Sequence, residues 1–162
     1  MADIKIDGLA ELQLLLNQLP ATIEGRIVRG ALRAGAKVVA IEAKRRCPVG
    51  TDVPKGETPG SLRDSIHVSM RSKNGHVTAT IKAGGEKAHY AHMVEFGTAR
   101  HWIKPRSRKS LFIAGLFKEA VEHPGAKKHP FMRPAIDSKA TEALQAVADY
   151  IKARIDKETA KI

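Results

Sequence analysis

The side chains most able to do chemistry in this 162-residue chain are its seven histidines, one centrally placed glutamate, a lone cysteine and two basic clusters. His89 and His92 lie three apart and share a helix face, as two ligands of a zinc site would. Zinc needs a third and fourth ligand at fitting geometry, and His101, His123 or His129 would have to converge on the first two without help from a cysteine pair. Glu95 is the single acidic residue between Lys87 and Lys118. A general base needs a nucleophile or proton donor beside it, and no such partner stands at a fitting spacing, so Glu95 reads as a residue that pairs with local cations or caps backbone groups. Gly84-Gly85 is not followed by the Lys-Ser/Thr that cradles phosphates. No nucleophile–base pair and no paired carboxylates occur with convincing spacing. The expectation is a protein that is not an enzyme and has no metal or cofactor.

Charge is the remaining chemical signal. Twenty-eight Lys and Arg against 17 Asp and Glu give +11 with histidine neutral, and nucleic acid is the obvious partner for such an excess. Only 4% of residues are aromatic, which argues against a base-stacking platform, and no helix-turn-helix or zinc-finger spacing is present. A sequence-independent DNA-binding protein, held by phosphate contacts alone, is the alternative reading. The cations concentrate in two places. Arg100, Lys104, Arg106, Arg108 and Lys109 occupy a stretch without acidic residues, and Arg26, Arg29, Arg33 and Lys37 recur at helical spacing.

With 43% hydrophobic residues the chain can build one core, and the expectation is a single domain over residues 1–162. No apolar run is long enough for a membrane span, the first residues lack the pattern of a signal peptide, and Cys47 alone forms no internal disulfide. These features predict a soluble protein made in a cytoplasm, with Cys47 a small, partly buried side chain at a helix end.

The elements that must hold these groups follow from periodicity. Residues 3–6 alternate like a short strand, and Leu9, Leu12, Leu16 and Leu19 fit a helix that Pro20 ends. From Thr22 to about Arg46, Ile23, Ile27, Ala31, Ala34, Val38 and Ile41 form one stripe of a long helix. On a wheel at about 100° per residue, Val28, Leu32, Ala36, Val39 and Ala43 form a second apolar sector, and the basic residues fill the rest. Two sectors imply burial on two sides, either within one chain or against a neighbouring subunit. The Gly/Pro-rich stretch 48–60 and the basic stretch 99–110 read as extended loops. Alternation on both sides of Asn74-Gly75 predicts an antiparallel hairpin. Residues 89–98 fit one or two helical turns ended by Gly97. Leu111–Val121 is an ambiguous apolar stretch. Phe131 and Met132 anchor the chain before Pro134 opens a last helix carrying Ile136, Ala140, Leu144, Val147, Ile151 and Ile155, with Arg133 reaching outward. The fold class is α+β: an antiparallel hairpin-based sheet packed by a long N-terminal-half helix and a C-terminal amphipathic helix.

Several runs together carry a resemblance. Asp7-Gly8-Leu9, Ala34-Gly35-Ala36, Cys47-Pro48-Val49 and Gly60-Ser61-Leu62 precede the two strongest, which run from Tyr90 through Glu95-Phe96-Gly97-Thr98 and from His123 through Pro130-Phe131-Met132-Arg133-Pro134. In this order they resemble the Hong Kong 97-type family of tailed-phage tail components, over about residues 3–155. The family usually passes from Pro-Val to Thr-Gly within a few residues, so Asp52 to Pro59 looks like an insertion. The resemblance implies a structural virion protein of a long-tailed phage or prophage, located in the neck or tail and in host cytoplasm during assembly. It implies a subunit of a homo-oligomeric neck ring that completes the tail or joins it to the DNA-filled head, next to tail-terminator, tail-tube or head-connector proteins. It implies non-specific contact with genomic DNA, for which the two basic clusters are the candidates, and no membrane association.

Overall fold

The computed structural model describes residues 14, 21–50, 58–86, 88–106, 109–113 and 115–159. The strand at 3–6, the leucine-rich helix before Pro20, most of the 50–60 insertion and Arg108 lie outside them. The chain has the α+β character its periodicity predicts. It divides into two compact units, one comprising residues 1–42, 67–82 and 136–162 and the other 43–66 and 83–135.

In the first unit, helix α1 spans Ala21–Arg46 in full and contributes its length up to Glu42. Strands β1 (His67–Lys73) and β2 (His76–Lys82) pair antiparallel, with Lys73 opposite His76. The two-residue turn between them has Asn74 at φ 52° and Gly75 at φ 78°, the left-handed pair that matches the twist of a tight hairpin. Along β2, Val77, Ala79 and Ile81 are half-buried and their neighbours exposed. Helix α4 (Met132–Thr159) supplies its length from Ile136 onward. Both long helices pack on the hairpin, and Arg29 Nη1 donates to Ser72 Oγ at 3.0 Å. Ile27, Ala31 and Ile151 form a buried cluster, against which Val28, Val147, Tyr150 and Ile155 pack.

The helix stripes differ in detail from their wheels. On α1 the most buried line is Ile27, Ala31, Gly35, Val39 and Ala43, a single ridge at intervals of four. It drifts about 40° around the helix with each step. The ridge runs from the first predicted sector, at Ile27 and Ala31, into the second, at Val39 and Ala43, and Val28 from the second packs into the same cluster as Ile27 from the first. Ile41 falls off the ridge and is exposed. Glycine at 35 is central because the α4 backbone passes there. A Cβ at Gly35 would stand 2.6 Å from Val147 Cγ2 and 2.8 Å from the Ala143 carbonyl oxygen, and one at Gly30 would meet the tip of Tyr150. On α4, Ile151 is buried as expected, whereas Ile136 and Leu144 are exposed.

The second unit contains helix α2 (Ser61–Ser65), helix α3 (Ala91–Phe96) and strands β3 (His101–Ile103), β4 (Leu111–Ile113), β5 (Leu116–Lys118) and β6 (Val121–His123). Its core holds Leu62, Ile66, Ala88 and Phe131. Cys47, just past α1, is buried there too. The strands make two short antiparallel ribbons, β3 with β6 and β4 with β5. The basic stretch is thus not wholly loop, since residues 101–103 pair with 121–123. The ambiguous 111–121 stretch is strand and turn.

A glutamate clasp and an exposed apolar ribbon

Helix α4 begins at Met132, two residues before Pro134, and its N-terminal N–H groups need acceptors that the helix cannot supply. Glu95, on the last turn of α3, supplies them. Its Oε2 accepts from Phe131 N at 2.7 Å and Met132 N at 3.0 Å, and its Oε1 accepts from Arg133 N at 3.1 Å. Pro134 has no N–H, and Ala135 N already reaches Phe131 O at 3.3 Å. The N–H groups of the first turn are therefore accounted for by one carboxylate and the helix's own first bond, and Pro134 has none to place. Burial by itself would raise the Glu95 pKa, but the backbone donors Met132, Phe131 and Arg133, with the Arg133 charge, outweigh it and hold the carboxyl below its ordinary range. The negative group also sits at the positive end of the helix dipole.

The same two segments join beyond the carboxylate. His129 N donates to Val94 O at 2.8 Å, Thr98 N to Ala126 O at 3.0 Å, and Ala126 N to both Thr98 O and Thr98 Oγ1. Gly97, at φ 75°, brings its backbone so close that a Cβ would lie 2.7 Å from Ala126 O. A Cβ at Gly125 would likewise collide with Thr98 O. Glu95, Gly97, Thr98, Phe131, Arg133 and Pro134 therefore belong to one clasp, and Phe131 at its centre is 1% exposed. Tyr90 is half-buried with its ring edge-on to His89, Pro130 and Phe96 are exposed, and the Arg133 side chain reaches outward.

The two runs that carry the family resemblance are the two halves of this clasp. A family model described as "Bacteriophage HK97-gp10, putative tail-component" matches residues 10–97, more than half of the chain. The chain belongs to this HK97-gp10-like family. No curated protein and no solved structure matches it. The HK97-gp10-like match ends at the glycine that closes α3, so Thr98 and the whole partner half of the clasp lie past it. Membership implies a tail component that associates with other virion proteins, and no described helix is long and apolar enough to cross a membrane.

The predicted basic residues are placed as the wheel expects on α1: Arg26, Arg29, Arg33 and Lys37 are all exposed. Lys104, Arg106 and Lys109 are exposed as well, whereas Arg100 pairs with Glu122, the neighbour across the β3–β6 ribbon of Trp102. Among the described residues no group of three or more His, Cys, Asp and Glu is placed to hold a metal ion.

Sequence reasoning missed a second feature of this unit. Of the seven aromatic residues, Phe96, Trp102, Phe112 and Phe117 are 61–75% exposed. Phe112 and Phe117 face each other across the β4–β5 ribbon with ring centroids 5.0 Å apart, and Ile113 opposes Leu116. The signal was there: an Ala114-Gly115 pair between two short apolar runs is a hairpin pattern.

Proposed function

We propose that this tail component is a structural subunit of the phage neck, which completes the tail or joins it to the DNA-filled head. In this reading it works as repeated copies in a ring, the whole chain acting as one neck domain beside tail-terminator, tail-tube or head-connector proteins. The observation that carries the reading is family membership over residues 10–97. It is supported by the way the family-like runs are used: their functional-looking polar residue, Glu95, has both oxygens engaged by backbone donors. A carboxylate so engaged holds a fold together and is not poised to take a proton from a substrate. The exposed cations on α1 and around β3 and β4 are assigned to sequence-blind contact with the genome or with acidic surfaces of adjoining rings.

Deleting the gene from the phage or prophage that encodes the chain tests this directly. Filled heads and separate tails should accumulate in electron micrographs, and added purified protein should restore joined particles. Normal numbers of joined, infectious particles without the protein would remove the reading. Charge reversal at Arg106 and Arg108 should reduce DNA retention or joining, and unchanged particles would free that segment of the role.

A further inference from the structure

The β4–β5 ribbon has a shape that an ordinary surface loop does not need. Its strands are three residues each, and both of its faces are apolar: Phe112 and Phe117 pair on one, Ile113 and Leu116 on the other. These four side chains are 65%, 75%, 41% and 62% exposed. A lone two-stranded ribbon is marginal in water, and contiguous exposed apolar groups of this size mark an interaction site. Polar character is confined to the ribbon's base, where exposed Arg106 and Lys109 precede it and Lys118 ends it, with Glu119, next after Lys118, the first acidic residue after Glu95.

We propose that this ribbon is a plug that inserts into an apolar cleft with an acidic rim on another protein of the particle, a proposal that rests on the tail-component reading. Two apolar faces call for two walls, which a cleft offers and a flat patch does not. The basic collar at the base fixes the sign of the rim. At about 200 Å² per aromatic side chain the four residues bring on the order of 400 Å², roughly half of one partner's share of a standard interface, and the collar supplies polar area around it.

Three other occupants fit less well. Inserted in a lipid bilayer, the ribbon would leave its outer strand edges unpaired in hydrocarbon, which open sheets do not do, whereas a protein wall can pair them. Nucleic acid would need cations at the tip, and residues 111–117 carry none. A second copy of this chain, itself at +11, is a poor source of an acidic rim.

The test is photo-cross-linking in particles. The full-length protein carries p-benzoylphenylalanine in place of Phe117, or in place of exposed His76 as a control, and complements particles that lack it. The expected result is a cross-link from position 117 to a different virion protein, mapping to apolar residues flanked by Asp or Glu, and a drop of at least tenfold in incorporation for F112S/F117S, whose melting curve stays that of the parent. Incorporation without any cross-link from 117, or unchanged incorporation of the double variant, overturns the plug and leaves the tail reading standing. A protein that never enters the particle overturns both. A 117 cross-link to a second copy of this chain, to DNA, or binding to phosphatidylglycerol vesicles that F112S/F117S loses, replaces the proposed occupant.

Discussion

Removing the Glu95 carboxylate should loosen the whole second unit, and the size of the effect can be worked from the clasp. In Glu95→Ala, Phe131 N, Met132 N and Arg133 N lose their acceptor. Arg133 is exposed and its N–H can be hydrated, but Phe131 is 1% exposed. Leaving one or two buried donors without a partner costs about 1–3 kcal/mol each, and the lost charge at the helix N-terminus adds roughly 0.5–1 kcal/mol. The sum is about 1.5–7 kcal/mol, which in a chain of this size lowers the melting temperature by on the order of 10 °C. Glu95→Gln keeps one carbonyl oxygen and turns an amide against the remaining donors, so about half the loss is expected. Urea unfolding followed by circular dichroism reads both. The clasp also has a pH signature. The Glu95 pKa is depressed in the fold, so the unfolded chain binds the proton more readily, and stability rises with pH across the interval between the two values. Its contribution is complete above the ordinary glutamate value of about 4.3 and is lost as pH falls through the lower folded value. Glu95→Gln should abolish that part of the acid sensitivity. A Glu95→Ala protein within 0.5 kcal/mol of the parent, roughly the scatter of neutral surface changes, would refute the reasoning.

Three further outcomes follow from close contacts. Gly35→Ala places a methyl group against the Ala143 carbonyl, and Gly30→Ala places one against the ring of Tyr150, which packs on the buried cluster; each should destabilise by about 1–3 kcal/mol, read from urea midpoints. Gly75→Ala forces a Cβ into the left-handed turn at φ 78° and should remove about 1 kcal/mol, read by the same assay, with an unchanged midpoint telling against the tight turn. Burial pushes the Cys47 thiol up to about 11, against a smaller opposing pull from Arg63, so iodoacetamide at pH 8 should modify it at least tenfold more slowly than a free thiol until urea unfolds the chain.

Features fixed by local chemistry were legible in the sequence. Asn74-Gly75 between two alternating runs specified the hairpin, its register and its turn, because only a few residue pairs tolerate two consecutive positive φ angles. The long helices were legible for the same reason, through their period. What the wheel misjudged on α1 was Gly35, counted neither apolar nor polar, although the approach of a second helix backbone makes a missing side chain the best fit at the most buried line. That approach is a tertiary fact with no local signature. Glu95 shows the intermediate case: the lack of a partner at a fitting spacing argued against catalysis and left cation pairing or capping, yet the helix it caps starts 37 residues later. The ribbon went unread because 4% aromatic residues is a statement about the average, whereas the surface depends on where those few side chains point.

These placements also separate side chains engaged within the clasp from side chains left exposed. Glu95, Gly97, Thr98 and Phe131 are turned toward each other, and their backbone and side-chain polar atoms bond within the clasp. A residue engaged in this way has little left to offer a neighbour, so changes there should act on assembly only through stability. Among the described residues, the exposed apolar side chains of the second unit include Trp102 on β3 and the four of the β4–β5 ribbon, past the end of the family match at residue 97, and Phe96 at that end. On the plug proposal, partner choice would vary while the clasp stays fixed, since a ribbon of three-residue strands lies apart in sequence from the clasp residues around Phe131.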